Sequence, residues 1–372
     1  MRVLHIITSL RQGGAERLVS LILPLLKKNG HEVELVIFDG KKTNFYNQLI
    51  DKQVKIYSLG NGALQMWNPL HTFKLRKIIK NGNYDVIHTH NTPSQLLTSF
   101  AVKKDCPVLV TTEHNTTNRR RNWVWYRPIE RRMYKKYDSV VCVSQKTKDN
   151  LENFLNTYLP GIKIVIPNGI DLENYSAISD NVVLRRQKSD NSHIILMIGA
   201  FRKQKDQVTL IKAINLLPKN YYLWLAGGWK GRKSCENLVR KIGLKDRVEF
   251  LGISDDIPEL LAKSDVVVLS SHYEGMPMSA IEAMASGKPF IGSDVEGIRE
   301  IADGAGILFP EGDSKALADA IREICQDPDY YSRIAEQCRQ RASKYDINTT
   351  VKGYEELYLQ LLKNKHNKEV DD

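Results

Sequence analysis

One stretch, Val266 to Pro289 (VVVLSSHYEGMPMSAIEAMASGKP), constrains the fold more than any other. Its opening apolar run, Val266-Val267-Val268-Leu269, suits a short strand covered on both faces, as in a parallel sheet. Ser270, Ser271 and His272 end that run, and Glu274-Gly275-Met276-Pro277 forms a turn-like segment. From Ser279 a helix is expected, with Ala280, Ile281, Ala283 and Met284 on its apolar face and Gly287 and Pro289 as its stop. A strand–loop–helix unit in an open parallel sheet delivers its loop to the ligand side, where the N–H groups of the helix N-terminus lack partners. The amides from Met278 to Ala280 suit a phosphate. Glu274 in the loop and Glu282 one turn into the helix would repel it, but each carboxylate accepts hydroxyl hydrogen bonds. They therefore suit a sugar ring and a ribose, and the whole describes a nucleotide-sugar site. The competing reading is an exposed loop acid beside a helix acid stabilised by the dipole.

The run E-G-M-P-M-S-A-I-E-A-M-A-S-G-K-P resembles the signature of the family 4 retaining glycosyltransferases, with two glutamates eight residues apart and an E-A-M-A-x-G-x-P ending. The resemblance implies the GT-B fold: two doubly wound, Rossmann-like α/β domains facing across a cleft, with a C-terminal helix crossing back to the first domain. It also implies a donor loop of Glu274, Gly275, Met276, Pro277, Met278, Ser279 and Glu282, in which Glu274 holds the donor sugar and Glu282 the ribose.

The length of 372 residues allows about two domains. Short β-branched runs alternate with amphipathic stretches over 1–175, giving an acceptor-side domain with strands near Val3, Val33, Val54, Val86, Val108, Val140 and Ile162. The alternation lapses over 176–192, which reads as a linker. It resumes over 193–347 as a nucleotide-sugar-binding domain, with strands near Ile194, Tyr222, Val248, Val266 and Phe290. Residues 348–372 form the crossing helix and tail, with Tyr354, Leu357, Tyr358 and Leu361 on one stripe. No run of about eighteen apolar residues is present, so no spanning helix is expected. Five scattered cysteines, with no C-x-x-C, read as reduced thiols and a cytoplasmic location.

Gly13-Gly14 stands where the first strand should pass to the first helix, and G-G-A-E-R resembles the family's first loop, a place of close approach to the donor. The spacing is not a dinucleotide fingerprint, which disfavours a dehydrogenase. His88, His90 and His114 follow strand ends. No Cys or Asp accompanies them at ligand spacing, so no metal is expected. By resemblance, His114 bonds a donor-sugar hydroxyl. His90 and Asn115 are candidates for the acceptor side, with a hydrogen-bonded histidine of the loop layer as the competing reading for His88 and His90. Pro167-Asn168-Gly169-Ile170-Asp171 resembles the marker before the interdomain linker.

Gly199-Ala200-Phe201-Arg202-Lys203-Gln204-Lys205 follows the first strand of the second half, and cations there suit a departing diphosphate. The family places an arginine directly after the glycine and a lysine five residues further on. Lys205 matches; the first position is Ala200, leaving Arg202 as the shifted candidate. Gly227 and Ile253, after Phe250-Leu251-Gly252, are expected to offer backbone to the nucleotide.

The segment 119–136 (RRRNWVWYRPIERRMYKK) holds eight basic residues and one acid. Arg119, Arg120, Arg121, Trp123 and Trp125 suit an anionic membrane surface, a reading preferred to a nucleic-acid patch or a solvated helix. The net charge of +11 favours anionic partners without choosing among them.

The resemblance thus implies a retaining, metal-independent hexosyltransferase that needs no cofactor. It would move a hexose from a nucleoside diphosphate sugar, a UDP-sugar by preference, to a saccharide acceptor; the basic aromatic segment 119–136 motivates a lipid-linked one, such as a polyprenyl-linked saccharide. Such an enzyme would serve capsule or O-antigen assembly as a peripheral protein of the inner membrane face. Two alternatives stay open: a non-catalytic nucleotide-sugar-binding protein, and another GT-B enzyme such as a sugar-nucleotide epimerase.

Overall fold

The computed structural model describes residues 1–103, 107–115, 123, 126–155, 161–175, 192–254 and 256–371. The chain divides into two compact units, one formed by Met1–Gly169 with Ile347–Asp372 and the other by Ile170–Asp346. The polar stretch read as a linker lies, apart from residue 192, outside the described residues.

The first unit is built on a seven-stranded parallel sheet: β1 (Arg2–Ile7), β2 (Glu32–Ile37), β3 (Lys55–Ser58), β4 (Val86–His90), β5 (Val108–Glu113), β6 (Ser139–Cys142) and β7 (Ile162–Val165). Their spatial order is β3-β2-β1-β4-β5-β6-β7, so the winding reverses between β1 and β4. His5 pairs with His88, and His90 with Thr112. Strand residues alternate faces, so these four side chains share one side of the sheet. The opposite side presents Leu4, Ile6, Ile87 and Leu109 to an ordinary apolar core with Leu75, Leu97, Met133 and Tyr137. The C-terminal helix Ile347–Asp371 reaches the histidine side, with the rings of Tyr354 and Tyr358 edge-on against His88. Its Tyr354, Leu357, Tyr358 and Leu361 are buried, as the stripe predicts.

The second unit contains β8 (His193–Ile198), β9 (Tyr221–Ala226), β10 (Val248–Gly252), β11 (Val266–Leu269), β12 (Phe290–Ser293) and β13 (Ile307–Phe309). All pairs are parallel, in the order β10-β9-β8-β11-β12-β13, and the winding reverses between β8 and β11. Strand β11 is buried throughout, as its apolar run requires. Sequence periodicity did not anticipate β13: three residues directly after Gly304-Ala305-Gly306 carry no alternation to detect. The helix expected from Ser279 runs over Met278–Ala285, with Pro277 as its cap.

Candidate functional site

In the second unit the reversal of winding brings two loops together. The loop after β8 ends in a short 3-10 turn, Lys203–Lys205, and the loop after β11 carries Glu274. The Lys205 Nζ donates to Glu274 Oε1 at 2.6 Å, and both side chains are largely shielded. Three further bonds tie the loops: Ser270 Oγ donates to the Asp206 carbonyl at 2.9 Å, the His272 N–H to the Gln204 carbonyl at 2.8 Å, and Gln204 Nε2 to the Tyr273 carbonyl at 2.8 Å. The pair is thereby held at the carboxyl end of a parallel sheet, at its switch point.

Glu274, Gly275, Met276, Pro277 and Met278 are buried, Ser279 is half-buried, and Glu282 is buried one turn further on. A Cβ on Gly297 would stand 2.3 Å from the Glu274 carbonyl and 2.6 Å from that of Gly275. That glycine lets the Glu274 loop lie against the helix Glu296–Ala302, a contact invisible to local sequence. The phosphate cradle is narrower than expected. The Ala280 N–H is taken by the Pro277 carbonyl at 3.0 Å, leaving the first amides of the helix, Met278 and Ser279, outside its own ladder.

Glycines also close the loops after β8 and β9. Gly227 adopts φ +154°, and a Cβ there would stand 2.1 Å from the Gly199 carbonyl. The Gly199 N–H donates to the Ala226 carbonyl at 2.9 Å and that of Phe201 to the Gly228 carbonyl at 2.8 Å. Arg202 points away from the Glu274 side of β8: its Cζ lies 4.0 Å from the centroid of the Trp229 ring, after β9. Ile253 is 59% exposed at the end of β10. Nothing in the sequence singled out Trp229.

In the first unit His114 leaves the end of β5 half-buried, with exposed Asn115 beyond it. Its Nε2 meets His90 Nδ1 at 3.1 Å, and His90 Nε2 meets His5 Nδ1 at 3.0 Å. His90, expected on the acceptor side, is fully buried with both nitrogens engaged, so it backs His114 rather than facing a ligand. His88 bonds the Tyr358 hydroxyl through Nδ1 and Thr112 Oγ1 at 2.7 Å through Nε2. Burial pushes all four imidazoles down, His5 to about 3 and His114 to about 4, and keeps them neutral. Nitrogens of His5, His88 and His90 lie within 4.8 Å of one another, close enough to hold a metal ion only by giving up these hydrogen bonds. His5, mid-strand in an apolar run, is the member that sequence reasoning missed. At the first loop, Gly13 is extended and Gly14 has open space at its Cα; both are exposed at the start of the helix Gly14–Lys28.

A second surface of this unit is apolar and basic. Leu64 and Trp67 lie one turn apart in the 3-10 helix Ala63–Trp67, of which no residue is buried, and Leu64 is 96% exposed. Leu70 and Phe73 continue the spacing of three and are exposed. Arg76, one turn beyond Phe73, donates to the Phe100 carbonyl at 3.0 Å, bringing exposed Phe100 beside them. Residues 61–84 contain Lys74, Arg76, Lys77 and Lys80 and no acid. Of the segment expected to face a membrane, Arg119, Arg120, Arg121 and Trp125 lie outside the described residues; Trp123 is exposed. Among the described residues no helix is long and apolar enough to cross a membrane.

Comparison with known proteins places the chain. Residues 12–174 match the family described as Glycosyltransferase Family 4, and residues 180–341 match Glycosyl transferases group 1. The chain is 28% identical over 309 residues to the UDP-Gal:alpha-D-GlcNAc-diphosphoundecaprenol alpha-1,3-galactosyltransferase of Escherichia coli, covering 78% of this chain and 79% of that one. It is 26% identical over 363 residues to a Campylobacter jejuni alpha-1,4-N-acetyl-D-galactosaminyltransferase whose name specifies an undecaprenol-linked acceptor, covering 94% and 95%. The crystal structure of Anabaena HepE in complex with UDP and glucose superposes with a TM-score of 0.82 at 22% identity, covering 96% and 99%. Two adjoining family matches over most of the chain, on two parallel-sheet units of matching fold, make this protein a member of the family 4 (group 1) glycosyltransferases of GT-B fold.

Proposed function

We propose that the protein transfers a hexose from a UDP-sugar, with retention and without a metal, to a lipid-linked saccharide in bacterial surface-polysaccharide assembly. The observation that carries this reading is the Lys205–Glu274 pair at the switch point, beside the start of the helix Met278–Ala285. With donor bound, Lys205 turns to the diphosphate with the Met278 and Ser279 amides, stabilising charge as it develops on the leaving group. Glu274 is then released to accept sugar hydroxyls, and Glu282 takes the ribose. The acceptor hydroxyl attacks from the leaving-group side and its proton passes to the donor phosphate, so no protein base is assigned. The names of the Escherichia coli and Campylobacter jejuni relatives favour a UDP-sugar and an undecaprenyl-linked acceptor. The apolar and basic surface of Leu64, Trp67, Leu70, Phe73 and Phe100 suits the anionic bilayer where such an acceptor resides, with rings entering the interface and lysines meeting headgroups.

The test is calorimetric titration with UDP-, GDP- and ADP-hexoses in the presence of a chelator, on the wild type and on Glu282→Ala. Tight binding of the UDP-sugar alone, lost in the variant, is expected. Transfer of labelled hexose to an undecaprenyl-linked acceptor should follow, with the donor's anomeric configuration in the product. Binding without transfer would favour a nucleotide-sugar-binding protein, and a changed free nucleotide sugar would favour an epimerase.

A further inference from the structure

Trp229 is the one tryptophan of the described residues with positive φ, at +109°, a region a bulky side chain avoids. Backbone contacts on either side impose it. The Gly228 carbonyl accepts from Phe201, and the Gly231 N–H donates back to the Phe201 carbonyl at 3.2 Å. A Cβ on Gly231 would stand 2.4 Å from that carbonyl, so the glycine is what lets the loop lie this close. The strained backbone holds an indole that is 61% exposed, stacked on the Arg202 guanidinium. Exposed Ile253 sits beside them, its Cδ1 only 2.8 Å from where a Gly228 Cβ would be.

This group lies at the ends of β8, β9 and β10, while Lys205 and Glu274 lie between the ends of β8 and β11. With strands spaced about 4.8 Å apart, the ends of β9 and β11 stand roughly 10 Å from each other across β8. A nucleoside diphosphate sugar whose sugar rests at Glu274 would carry its diphosphate over the end of β8 and its base toward β9.

We propose that Trp229 and Arg202 form a shelf on which the nucleobase of the donor lies, so that Arg202 serves the base rather than the departing diphosphate. This rests on the nucleotide-sugar reading above and adds the residues that hold the base. A flat base gains by stacking on the outer face of this pair, since indole and guanidinium each offer a π-face. Arg202 is then not the shifted counterpart of the arginine absent at Ala200, and Lys205 is the cation paired with Glu274.

The test is titration of the full chain with UDP, GDP and ADP, and with inorganic pyrophosphate as a base-free probe. Trp229→Leu should weaken the preferred nucleotide about fivefold to a hundredfold and leave pyrophosphate unchanged, whereas Trp229→Phe should stay within about threefold of the wild type. If Trp229→Leu does not fold, wild-type fluorescence serves instead: the nucleotide should quench it, and Trp229→Phe should lose most of that quenching. Equal weakening of nucleotide and pyrophosphate would assign the pair to the diphosphate and overturn the proposal. Unchanged nucleotide affinity in Trp229→Leu, with binding still abolished by Glu282→Ala, would overturn the shelf and leave the donor site standing. A wild type that binds none of the nucleotides would overturn both.

Discussion

Mild acid should unfold the first unit well before its carboxylates titrate. His5, His88 and His90 are fully buried and their pKa values are depressed by desolvation, His5 to about 3. In the unfolded chain each returns to the ordinary value of 6.5. As pH falls through 6.5 the unfolded state takes up protons that the folded state refuses, so stability is lost from there downward until the folded values are reached. Each imidazole costs about 1.4 kcal/mol per pH unit, hence about 2 kcal/mol between pH 7 and pH 5 and about 6 kcal/mol for the three. A domain commands about 5–15 kcal/mol in all, so this is a large share. Burial depresses His71 and His114 as well, deepening the loss. In the second unit, among the described residues, the histidine that burial depresses is His193. Hydrogen exchange read by mass spectrometry between pH 7.5 and 4.5, compared at constant intrinsic exchange, should show protection of β1 and β4 collapsing near pH 5 while β8 and β9 stay protected. Equal acid sensitivity in the two units, or none in the first, would refute the claim that these imidazoles are buried neutral.

Two further outcomes are expected. Gly227→Ala would place a methyl group 2.1 Å from the Gly199 carbonyl at a φ of +154°, so denaturant titration should show the second unit weakened by about 2–4 kcal/mol; an unchanged midpoint would disprove the close approach. The double change Trp67→Ser and Phe73→Ser should reduce partitioning onto phosphatidylglycerol vesicles at least about tenfold while leaving nucleotide binding intact. Equal recruitment by anionic and neutral vesicles, or no change in the double variant, would remove the membrane role of that surface.

The parallel-sheet architecture was legible because its signals are local: β11 is an uninterrupted apolar run, and the C-terminal stripe of Tyr354, Leu357, Tyr358 and Leu361 repeats at helical spacing. The sequence singled out both Lys205 and Glu274, yet not as a pair, because they stand 69 residues apart and meet only through strand order. His5 looked like one more residue of a buried strand until register set it opposite His88. Gly297 and Gly231 matter for what another segment's backbone does beside them, which no spacing rule contains. The loop after β8 marks Arg202 as a cation near the donor, but the ring it meets arrives from the next strand, which local spacing does not contain. The exposed run from Leu64 to Phe73 escaped notice because period-three apolar spacing resembles a buried helix face, and only burial tells the two apart.

The return of the helix Ile347–Asp371 has a consequence for how the molecule is made. Tyr358 closes over His88, 270 positions earlier in the chain, and Tyr354 reaches Thr112. A ribosome therefore finishes every strand of the first sheet, and the whole of the second unit, before it emits the side chains that roof the histidine face. During that interval the nascent first unit holds His88 without its cover, while the second, continuous in sequence, already has all its parts. The order of maturation should thus run opposite to the order of synthesis, with the N-terminal sheet the last to become acid-sensitive, closed and complete.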